Sequence, residues 1–246
     1  MTPALEVRGL SKAFGGLPAA NDVSFSVMPG ERRLVIGPNG AGKTTLFNLI
    51  AGDLRGDAGS IRIFGREVSR MKPHQRMRCG LARTYQVITL FTKDTLEHNV
   101  VLALLGLSPA RWSAFRPLAA RTDLFEAARR MLALVGLEAE AHRHVSEVSY
   151  GDRRRLEIAL ALAQSPRLLL LDEPLAGLSG EERIAVRALI ASIPRETTVV
   201  MIEHDMDTAL EMAERITLLH YGQVIVEGTR AEVVAHPMTR EIYLGR

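Results

Sequence analysis

Cysteine is almost absent from this 246-residue sequence, in which Cys79 is the single example. One thiol excludes an internal disulfide framework and a metal site built from several cysteines, and it fits a reducing compartment. Lysine is also scarce, because only Lys12, Lys43, Lys72 and Lys93 occur among the 31 basic residues. A lysine inside a phosphate-binding pattern is therefore hard to attribute to chance.

Long apolar runs are missing as well. The longest stretch, residues 100–105 with Leu107 beyond Gly106, is far shorter than the roughly 20 residues that a membrane-spanning helix needs. Residues 1–9 mix acidic and basic side chains, where a secretory signal peptide needs an apolar stretch. A formal net charge of +3 is too weak over this length to favour a nucleic-acid surface. We therefore expect a cytoplasmic protein with no nucleic-acid partner and, at most, a peripheral role at a membrane.

Hydrophobic periodicity predicts an α/β protein. Near the N-terminus, apolar and polar residues alternate around Leu5, Val23 and Ile61, which is the pattern of half-buried antiparallel strands. Residues 168–171 and 198–202 are apolar runs separated by a helical segment, which is typical of a parallel sheet. Further on, the pattern predicts a hairpin over residues 216–226 and a terminal helix over residues 231–243, interrupted near Pro237.

A helical subdomain is predicted over residues 88–165. Residues 96–107 and 123–135 have helical apolar spacing, whereas residues 107–123 contain two prolines and the only tryptophan. That stretch predicts a partly irregular surface insertion. The α/β core with its β-layer would then comprise residues 1–87 and 166–246, and residues 1–246 would form a single domain.

The strongest motif is the full phosphate-loop pattern, Gly-x-x-x-x-Gly-Lys-Thr, between a predicted strand and a predicted helix. Its glycines let backbone amides turn toward phosphates, and the helix N-terminus adds a partial positive charge. Lys43 would bridge phosphate oxygens and Thr44 would ligate Mg²⁺. A glycine-rich turn without a ligand is the weaker interpretation. The nucleotide-binding residues would be Gly37, Pro38, Asn39, Gly40, Ala41, Gly42, Lys43, Thr44 and Thr45.

Two carboxylates follow the apolar run of residues 168–171 directly. In a nucleotide site, Asp172 can hold Mg²⁺, commonly through water, and Glu173 can polarise the attacking water. By itself, the pair is equally compatible with a strand end that reaches solvent. The phosphate loop in the same chain favours Asp172 as a metal residue and Glu173 as a catalytic residue.

A third motif, residues 149–152, precedes the helical pattern of residues 153–164. Ser149 and Asp152 have the spacing of a capping box, which stabilises a helix start by about 1 kcal/mol. A capped helix start that contains a glycine, here Gly151, is also a good anion site. Both interpretations hold together.

In this order, the motifs resemble the ABC ATPase family over nearly the whole chain. The resemblance implies a P-loop NTPase fold of the ABC type, with a mixed sheet core, an N-terminal antiparallel β-layer and an inserted helical lobe. It implies that ATP and Mg²⁺ are bound. Residues 149–153 correspond to the signature motif, so Ser149 and Gly151 would cap the γ-phosphate held by the phosphate loop of a second, head-to-tail subunit. Tyr150 and Asp152 depart from the commonest form, Leu-Ser-Gly-Gly-Gln.

The same resemblance assigns roles to three further residues. Gln86 would sense Mg²⁺ from a loop that joins the core to the lobe, although it otherwise has the character of a surface residue. His204 follows a predicted core strand, where α/β proteins bind ligands, and would be the switch histidine at the γ-phosphate. Phe14 would stack on adenine, and its alternative is a core phenylalanine of the β-layer. Ser179 stands where the family commonly has aspartate.

The motifs alone do not say what ATP hydrolysis drives, because this fold serves transporters and soluble machines alike. A single cassette without sustained heptads favours a transporter over a soluble ATPase of chromosomes, DNA repair or ribosomes. Residues 82–86, 150–159, 203–206 and 241–245 resemble the larger ATPase of bacterial branched-chain amino acid importers. They also resemble relatives that handle urea or lipopolysaccharide.

By that resemblance, the partners would be two transmembrane permease subunits, an external substrate-binding protein and a second ABC ATPase subunit, identical or paralogous. The chain would act at the cytoplasmic face of the bacterial inner membrane. The apolar residues Val87, Ile88, Leu90 and Phe91 follow Gln86 directly. They predict a docking groove for a cytoplasmic helix of a membrane subunit.

Overall fold

The computed structural model describes residues 1–85, 90–107, 118–203 and 211–244. The chain divides into two compact units. The first unit contains residues 1–83, 167–176 and 193–246, and the second contains residues 84–166 and 177–192.

Two sheets form the first unit. The strands are β1 (Leu5–Phe14), β2 (Leu17–Val27), β3 (Arg32–Ile36), β4 (Ala58–Ile63), β5 (Arg66–Glu67), β6 (Leu81–Arg83), β7 (Leu168–Asp172), β8 (Thr198–Ile202), β9 (Arg215–His220) and β10 (Gln223–Gly228). The first sheet is antiparallel, in the order β2-β1-β4-β5. The second has the order β10-β9-β3-β8-β7-β6 and is parallel except for β10. The predicted mixed sheet and antiparallel β-layer are both confirmed.

The central strands of the mixed sheet are apolar runs because both of their faces are covered. Every residue of β3, β7 and β8 is buried. Ile202 of β8 pairs with Val35 of β3 on one side and with Asp172 of β7 on the other. The three carboxyl ends therefore lie at one edge of the sheet, where the loops that follow them meet.

The described residues form eight helices. They are α1 (Lys43–Ala51), α2 (Pro73–Met77), α3 (Leu96–Leu107), α4 (Thr122–Leu134), α5 (Tyr150–Leu162), α6 (Gly180–Ser192), α7 (Arg230–Ala235) and α8 (Pro237–Leu244). Helix α1 buries Leu46, Phe47 and Ile50 in the core of the first unit. The predicted terminal helix is interrupted as expected, because Pro237 cannot continue α7 but can begin α8.

Helices α3 to α6 belong to the second unit. Helices α3 and α4 match the predicted segments, and a 3₁₀ turn at Leu118–Ala120 precedes α4. Residues 108–117 of the predicted insertion lie outside the described ranges. The sequence placed residues 177–192 in the core, whereas they group with the second unit here because α6 packs against α5. Within the described ranges, no helix is both long enough and apolar enough to cross a bilayer.

Candidate functional site

The predicted phosphate loop joins the buried strand β3 to helix α1. Gly42, the N-cap of α1, has a φ of 98°, in the left-handed region that glycine adopts readily. A Cβ on Gly42 would lie 2.1 Å from the carbonyl oxygen of Ala19, and a Cβ on Gly37 would lie 2.2 Å from that of Leu219. Neighbouring backbone therefore excludes a side chain at both positions.

The first turn of α1 offers its backbone amides to an anion. Among the described residues, no acidic side chain lies in this turn, and no side chain accepts a hydrogen bond from its amides as a cap. The aligned peptide dipoles give the helix start a partial positive charge. Thr44 is exposed in this turn, so a ligand can reach its hydroxyl group. The helix start thus suits phosphate groups and an accompanying cation.

Lys43 lies at the first position of α1 and is only 5% exposed. Its Nζ donates to the carbonyl oxygens of Gly37 at 2.6 Å and Pro38 at 3.0 Å. Burial lowers the pKa of Lys43, and the charges of Glu173 and Asp172 oppose that shift. The ammonium group is therefore held at the loop within the field of both predicted carboxylates, where phosphate oxygens would be alternative acceptors.

The two carboxylates stand at the end of β7. Asp172 is fully buried and Glu173 is 6% exposed. Glu173 has a φ of 49°, a left-handed conformation that costs a non-glycine residue about 1–3 kcal/mol. Its amide donates to the carbonyl oxygen of Ile202 at 3.0 Å, which holds this turn against β8. Backbone strain at a buried acid whose charge acts on the pKa of the loop lysine supports a functional role for Glu173.

Glu203 directly follows β8, and no role was predicted for it. It is 4% exposed, and its Oε1 accepts a hydrogen bond from the amide of Leu175 at 2.8 Å. Glu203 thereby fixes the backbone just after Glu173. The sequence pattern that identified Asp172 also applies to Glu203, because Glu203 directly follows an apolar run, residues 199–202.

Arg83, the last residue of β6, was also missed. Its Nη2 donates to Oδ2 of Asp172 at 2.8 Å. Its Nη1 donates to Oδ1 of Asn48 at 2.7 Å and to Oδ2 of Asp53 at 3.0 Å. Asn48 lies on α1, so Arg83 links the phosphate-loop helix to the end of β7. No local pattern reveals this contact, because 89 positions separate Arg83 from Asp172.

In the second unit, Ser149 caps helix α5. Its Oγ accepts a hydrogen bond from the amide of Asp152 at 3.1 Å. The predicted capping box is otherwise wrong, because the Asp152 carboxylate accepts from Arg155. Aspartate is one methylene shorter than the glutamate of the usual box, and Arg155 lies on the same face of the helix.

A carboxylate of the same unit occupies the start of α5. The amide of Gly151 donates to Oε1 of Glu182 at 2.9 Å, and the amide of Ser179 donates to Oε2 at 2.9 Å. The hydrogen bonds from Ser179 and Gly151 lower the pKa of Glu182 to about 2. The helix start thus accommodates an anion, here a side chain of the chain itself. The Ser-x-x-Glu spacing of residues 179–182 was a usable sequence signal.

Tyr150, a departure from the commonest signature motif, lies beside Gly177 in the second unit. Gly177 has a φ of +74°, and a Cβ added to it would lie 3.3 Å from Cε1 of Tyr150. The tyrosine ring takes up space that an alanine methyl at position 177 would need. A glycine at position 177 therefore suits both the positive φ and the neighbouring ring.

Phe14 ends β1 and is 48% exposed. The alternative of a core phenylalanine is therefore wrong, because β1 no longer packs its side chains inward at this end of the strand. The Nζ of Lys12 lies 5.6 Å from the ring centroid. The exposed ring is available to an adenine, and its stacking role stays a prediction.

Four predicted residues, Gln86, Val87, Ile88 and His204, lie outside the described residues. The role of Gln86 in metal sensing and the contact of His204 with the γ-phosphate therefore stay predictions. Of the predicted docking groove, Leu90 is partly buried and Phe91 is 61% exposed.

Comparison with known proteins agrees with this geometry. Residues 20–176 match the family described as ABC transporter. The chain is 37% identical over 254 residues to BraF of Pseudomonas aeruginosa, a high-affinity branched-chain amino acid transport ATP-binding protein, with 99% of this chain and 98% of BraF covered. It is 35% identical over 248 residues to LptB of Acidithiobacillus ferridurans, a lipopolysaccharide export system ATP-binding protein, with 100% and 98% covered.

A solved ATP-binding cassette of an ABC transporter, in its ADP conformation, has the same fold. It matches with a TM-score of 0.89 and 28% identity, and each chain is covered completely. The predicted fold and the predicted enzyme class, an ABC-type ATPase, are confirmed by these similarities. The chain belongs to the ATP-binding cassette family of ABC transporter subunits.

Proposed function

We propose that this chain is the ATP-hydrolysing subunit of an importer for branched-chain or other hydrophobic amino acids. The main support is the buried Lys43, which is held at the phosphate loop by the Gly37 and Pro38 carbonyl oxygens, together with the buried acids Asp172 and Glu173 at the end of β7. The similarity to BraF, which spans nearly the full length of both chains, supports the amino-acid substrate. The similarity to LptB makes lipopolysaccharide export the second candidate.

The nucleotide would lie along the phosphate loop, with its phosphates at residues 37–45 and its adenine on Phe14. The residues present fit Mg²⁺, because the exposed Thr44 hydroxyl and the buried Asp172 carboxylate are both oxygen donors. Magnesium sites commonly combine one or two such donors with substrate phosphates and waters. Gln86 would add an amide oxygen. When bound, Mg²⁺ would neutralise charge that develops on the phosphate oxygens.

Glu173 would polarise the water that attacks the γ-phosphate. Its backbone is fixed on both sides, since its amide donates to Ile202 at 3.0 Å and its carbonyl accepts from Ala176 at 3.1 Å. A carboxylate on a fixed backbone can orient water with little reorganisation during the reaction. Lys43 would stabilise the charge on the transferred group, and His204 would contact the γ-phosphate.

A second ABC ATPase subunit, identical or paralogous, would complete the site. Its Ser149 and Gly151 equivalents would cap the γ-phosphate in a head-to-tail arrangement, so that ATP holds two cassettes together and hydrolysis releases them. This closure would move two transmembrane permease subunits at the cytoplasmic face of the inner membrane. An external substrate-binding protein would deliver the amino acid.

The permease would dock near Phe91. Its ring is 61% exposed, while its backbone is held by Asn99, whose side chain bonds to the Phe91 amide at 2.9 Å and carbonyl at 3.1 Å. An exposed aromatic on a fixed backbone suits a helix-in-groove contact. Phe91→Asp should abolish the coupling of ATP hydrolysis to uptake while sparing ATP binding. Leu134→Asp, at another exposed apolar residue of the same unit, should leave uptake coupled. Equal uptake by the two variants would refute this docking site.

Co-purification tests the proposed function. A tagged Glu173→Gln chain, expressed in its native cell, is recovered from detergent-solubilised membranes with ATP and Mg²⁺, with Lys43→Ala as the matched control. We expect two polytopic membrane proteins and a second cassette to co-purify with the Glu173→Gln chain. Smaller amounts of these proteins should co-purify with the Lys43→Ala chain. The substrate class is identified by uptake of leucine, isoleucine and valine in a strain that lacks this chain. Uptake should be lost in that strain and restored by the wild-type chain but not by the two variants. Export components would favour the second candidate, and exclusively soluble partners would contradict a transporter.

A further inference from the structure

The Asp172 carboxylate is the most deeply buried acid of the candidate site. It is fully buried at the end of a strand in which every residue is buried. A carboxylate removed from water is costly unless a cation and hydrogen-bond donors face it. In the described residues, a cation does face it at hydrogen-bond distance, because Nη2 of Arg83 lies 2.8 Å from Oδ2.

Arg83 is itself fixed on several sides. Its side chain is 5% exposed, and its second terminal nitrogen bonds to Asn48 and Asp53. Its guanidinium carbon lies 5.8 Å from the ring centroid of Phe47. Arg83 also pairs with Leu170 in the sheet, on the strand that Asp172 ends. The planar guanidinium can hold several acceptors in fixed directions at once, which an ammonium group cannot do.

These contacts connect two parts of the candidate site. Asn48 and Phe47 belong to α1, the helix that begins at the phosphate loop, whereas Asp172 is the proposed metal residue. A shift of α1 relative to β7 would stretch the guanidinium between its acceptors. The position of the Asp172 carboxylate is therefore tied to the helix that carries Lys43 and Thr44.

We propose that Arg83 is a positioning residue for Mg²⁺ binding. It fixes the rotamer of the Asp172 carboxylate relative to α1, and it offsets the carboxylate charge before Mg²⁺ arrives with the nucleotide. This inference rests on the proposed function, because it takes Asp172 as the metal residue. Outer-shell partners of metal ligands typically change metal affinity by about 10–100-fold when they are removed.

The alternative is that Arg83 only joins β6, β7 and α1 as a structural tie. A structural tie would contribute to thermal stability and would affect nucleotide binding equally with and without metal. A positioning residue would instead change the concentration of Mg²⁺ that the site requires. The two roles are separable by measuring metal response and stability on the same variants.

Binding of a fluorescent ATP analogue to the purified full-length chain provides the test. The dissociation constant is measured in EDTA, and the free Mg²⁺ concentration at the midpoint of the metal-dependent change is then determined by titration. The variants are Arg83→Met, Arg83→Lys and, as the matched control, Asp53→Asn, which alters another acceptor of Arg83. Melting temperatures are measured on every variant.

For Arg83→Met we expect metal-free affinity within about twofold of wild type and a Mg²⁺ midpoint raised about tenfold. Arg83→Lys keeps the positive charge but loses the planar guanidinium, so its Mg²⁺ midpoint should lie between those of wild type and Arg83→Met. Asp53→Asn should have the wild-type midpoint. If Arg83→Met does not fold, the Lys variant carries the test. Combined with Asp172→Asn, the loss of Arg83 should add little further effect, because it acts through that carboxylate.

An unchanged Mg²⁺ midpoint together with a lowered melting temperature would overturn the proposal and leave a structural tie. A midpoint raised equally by Asp53→Asn would overturn it as well. If the wild-type chain binds no nucleotide at all, the proposed function itself fails, and that outcome is visible before any Arg83 variant is made.

Discussion

The Gly151 amide at the first turn of α5 donates a hydrogen bond to the carboxylate of Glu182, which lies on α6. The same carboxylate accepts from the amide of Ser179, so one acid serves the starts of two helices. A negative charge at a helix N-terminus is stabilising, and here it faces two such termini. Glu182 therefore joins the start of α5 to the start of α6.

The first prediction concerns the pH dependence of this contact. Because the pKa of Glu182 is lowered to about 2, its stabilising contribution is complete above its ordinary pKa of about 4.5 and is lost as the pH falls toward about 2. Glu182→Gln should lower the free energy of unfolding at pH 7, and this deficit should shrink below about pH 4.5. Denaturant unfolding at several pH values measures it. Glu181→Gln is the control, and an equal loss in both variants would contradict the assignment.

The second prediction compares two glycines of the phosphate loop. Gly42 and Gly40 both have positive φ, 98° and 80°, but a Cβ on Gly42 would meet the Ala19 carbonyl at 2.1 Å whereas a Cβ on Gly40 meets nothing within 4 Å. Both alanine variants bear the backbone cost, and Gly42→Ala alone bears the clash. We expect Gly42→Ala to lose nucleotide binding and Gly40→Ala to retain part of it. Calorimetric nucleotide titration decides, and equal affinities would show that the loop shifts to relieve the clash.

The third prediction concerns the contact between Tyr150 and Gly177. Gly177→Ala should lower the free energy of unfolding by about 1–3 kcal/mol, because it adds both a strained φ and a methyl group 3.3 Å from the tyrosine ring. In a Tyr150→Ala background only the strain remains, so the cost should fall by about 0.5–1 kcal/mol. A double-mutant cycle of unfolding free energies measures the coupling. Additive effects would show that the ring moves aside without cost.

The fourth prediction concerns Glu157, which pairs with Arg154 at 2.8 Å inside the second unit. Burial raises the pKa of Glu157 to about 7, and the charge of Arg154 opposes that shift. Because the folded pKa lies above the unfolded value, the contribution of Glu157 to stability is complete below about pH 4.5 and is lost as the pH rises through about 7.

Glu157→Gln removes this titration. The unfolding free energy of wild type relative to the variant should therefore fall between about pH 4.5 and pH 7 and be constant above that range. Denaturant unfolding across the range tests it, with Glu181→Gln as the exposed control. A difference that does not vary with pH would mean that Glu157 stays ionised in the folded chain.

Local sequence patterns predicted much of this fold. The continuous apolar runs of β7 and β8 are buried on every residue, and the alternation around Leu5 and Ile61 marks half-buried strands of the antiparallel sheet. The break at Pro237 followed from the fixed φ and missing amide hydrogen of proline. Each of these features depends on residues that are near neighbours in the chain.

Two features that were missed depend on distant contacts. Arg83 has no sequence neighbour that indicates an ion pair with Asp172, because the pair forms only when β6 and β7 lie side by side. The sequence of helix α6 does not indicate the hydrogen bond from Gly151 to Glu182. The helix was therefore predicted to belong to the core.

Under the proposed function, Glu173 activates the water that attacks ATP. The direct measurement is steady-state ATP turnover by the purified wild-type, Glu173→Gln and Glu181→Gln chains, with nucleotide affinity measured in parallel. We expect Glu173→Gln to bind ATP with nearly wild-type affinity and to hydrolyse it about 10²–10⁴-fold more slowly, because it loses the carboxylate that accepts the proton. Glu181→Gln should turn over like wild type. Normal turnover by Glu173→Gln would contradict the claim.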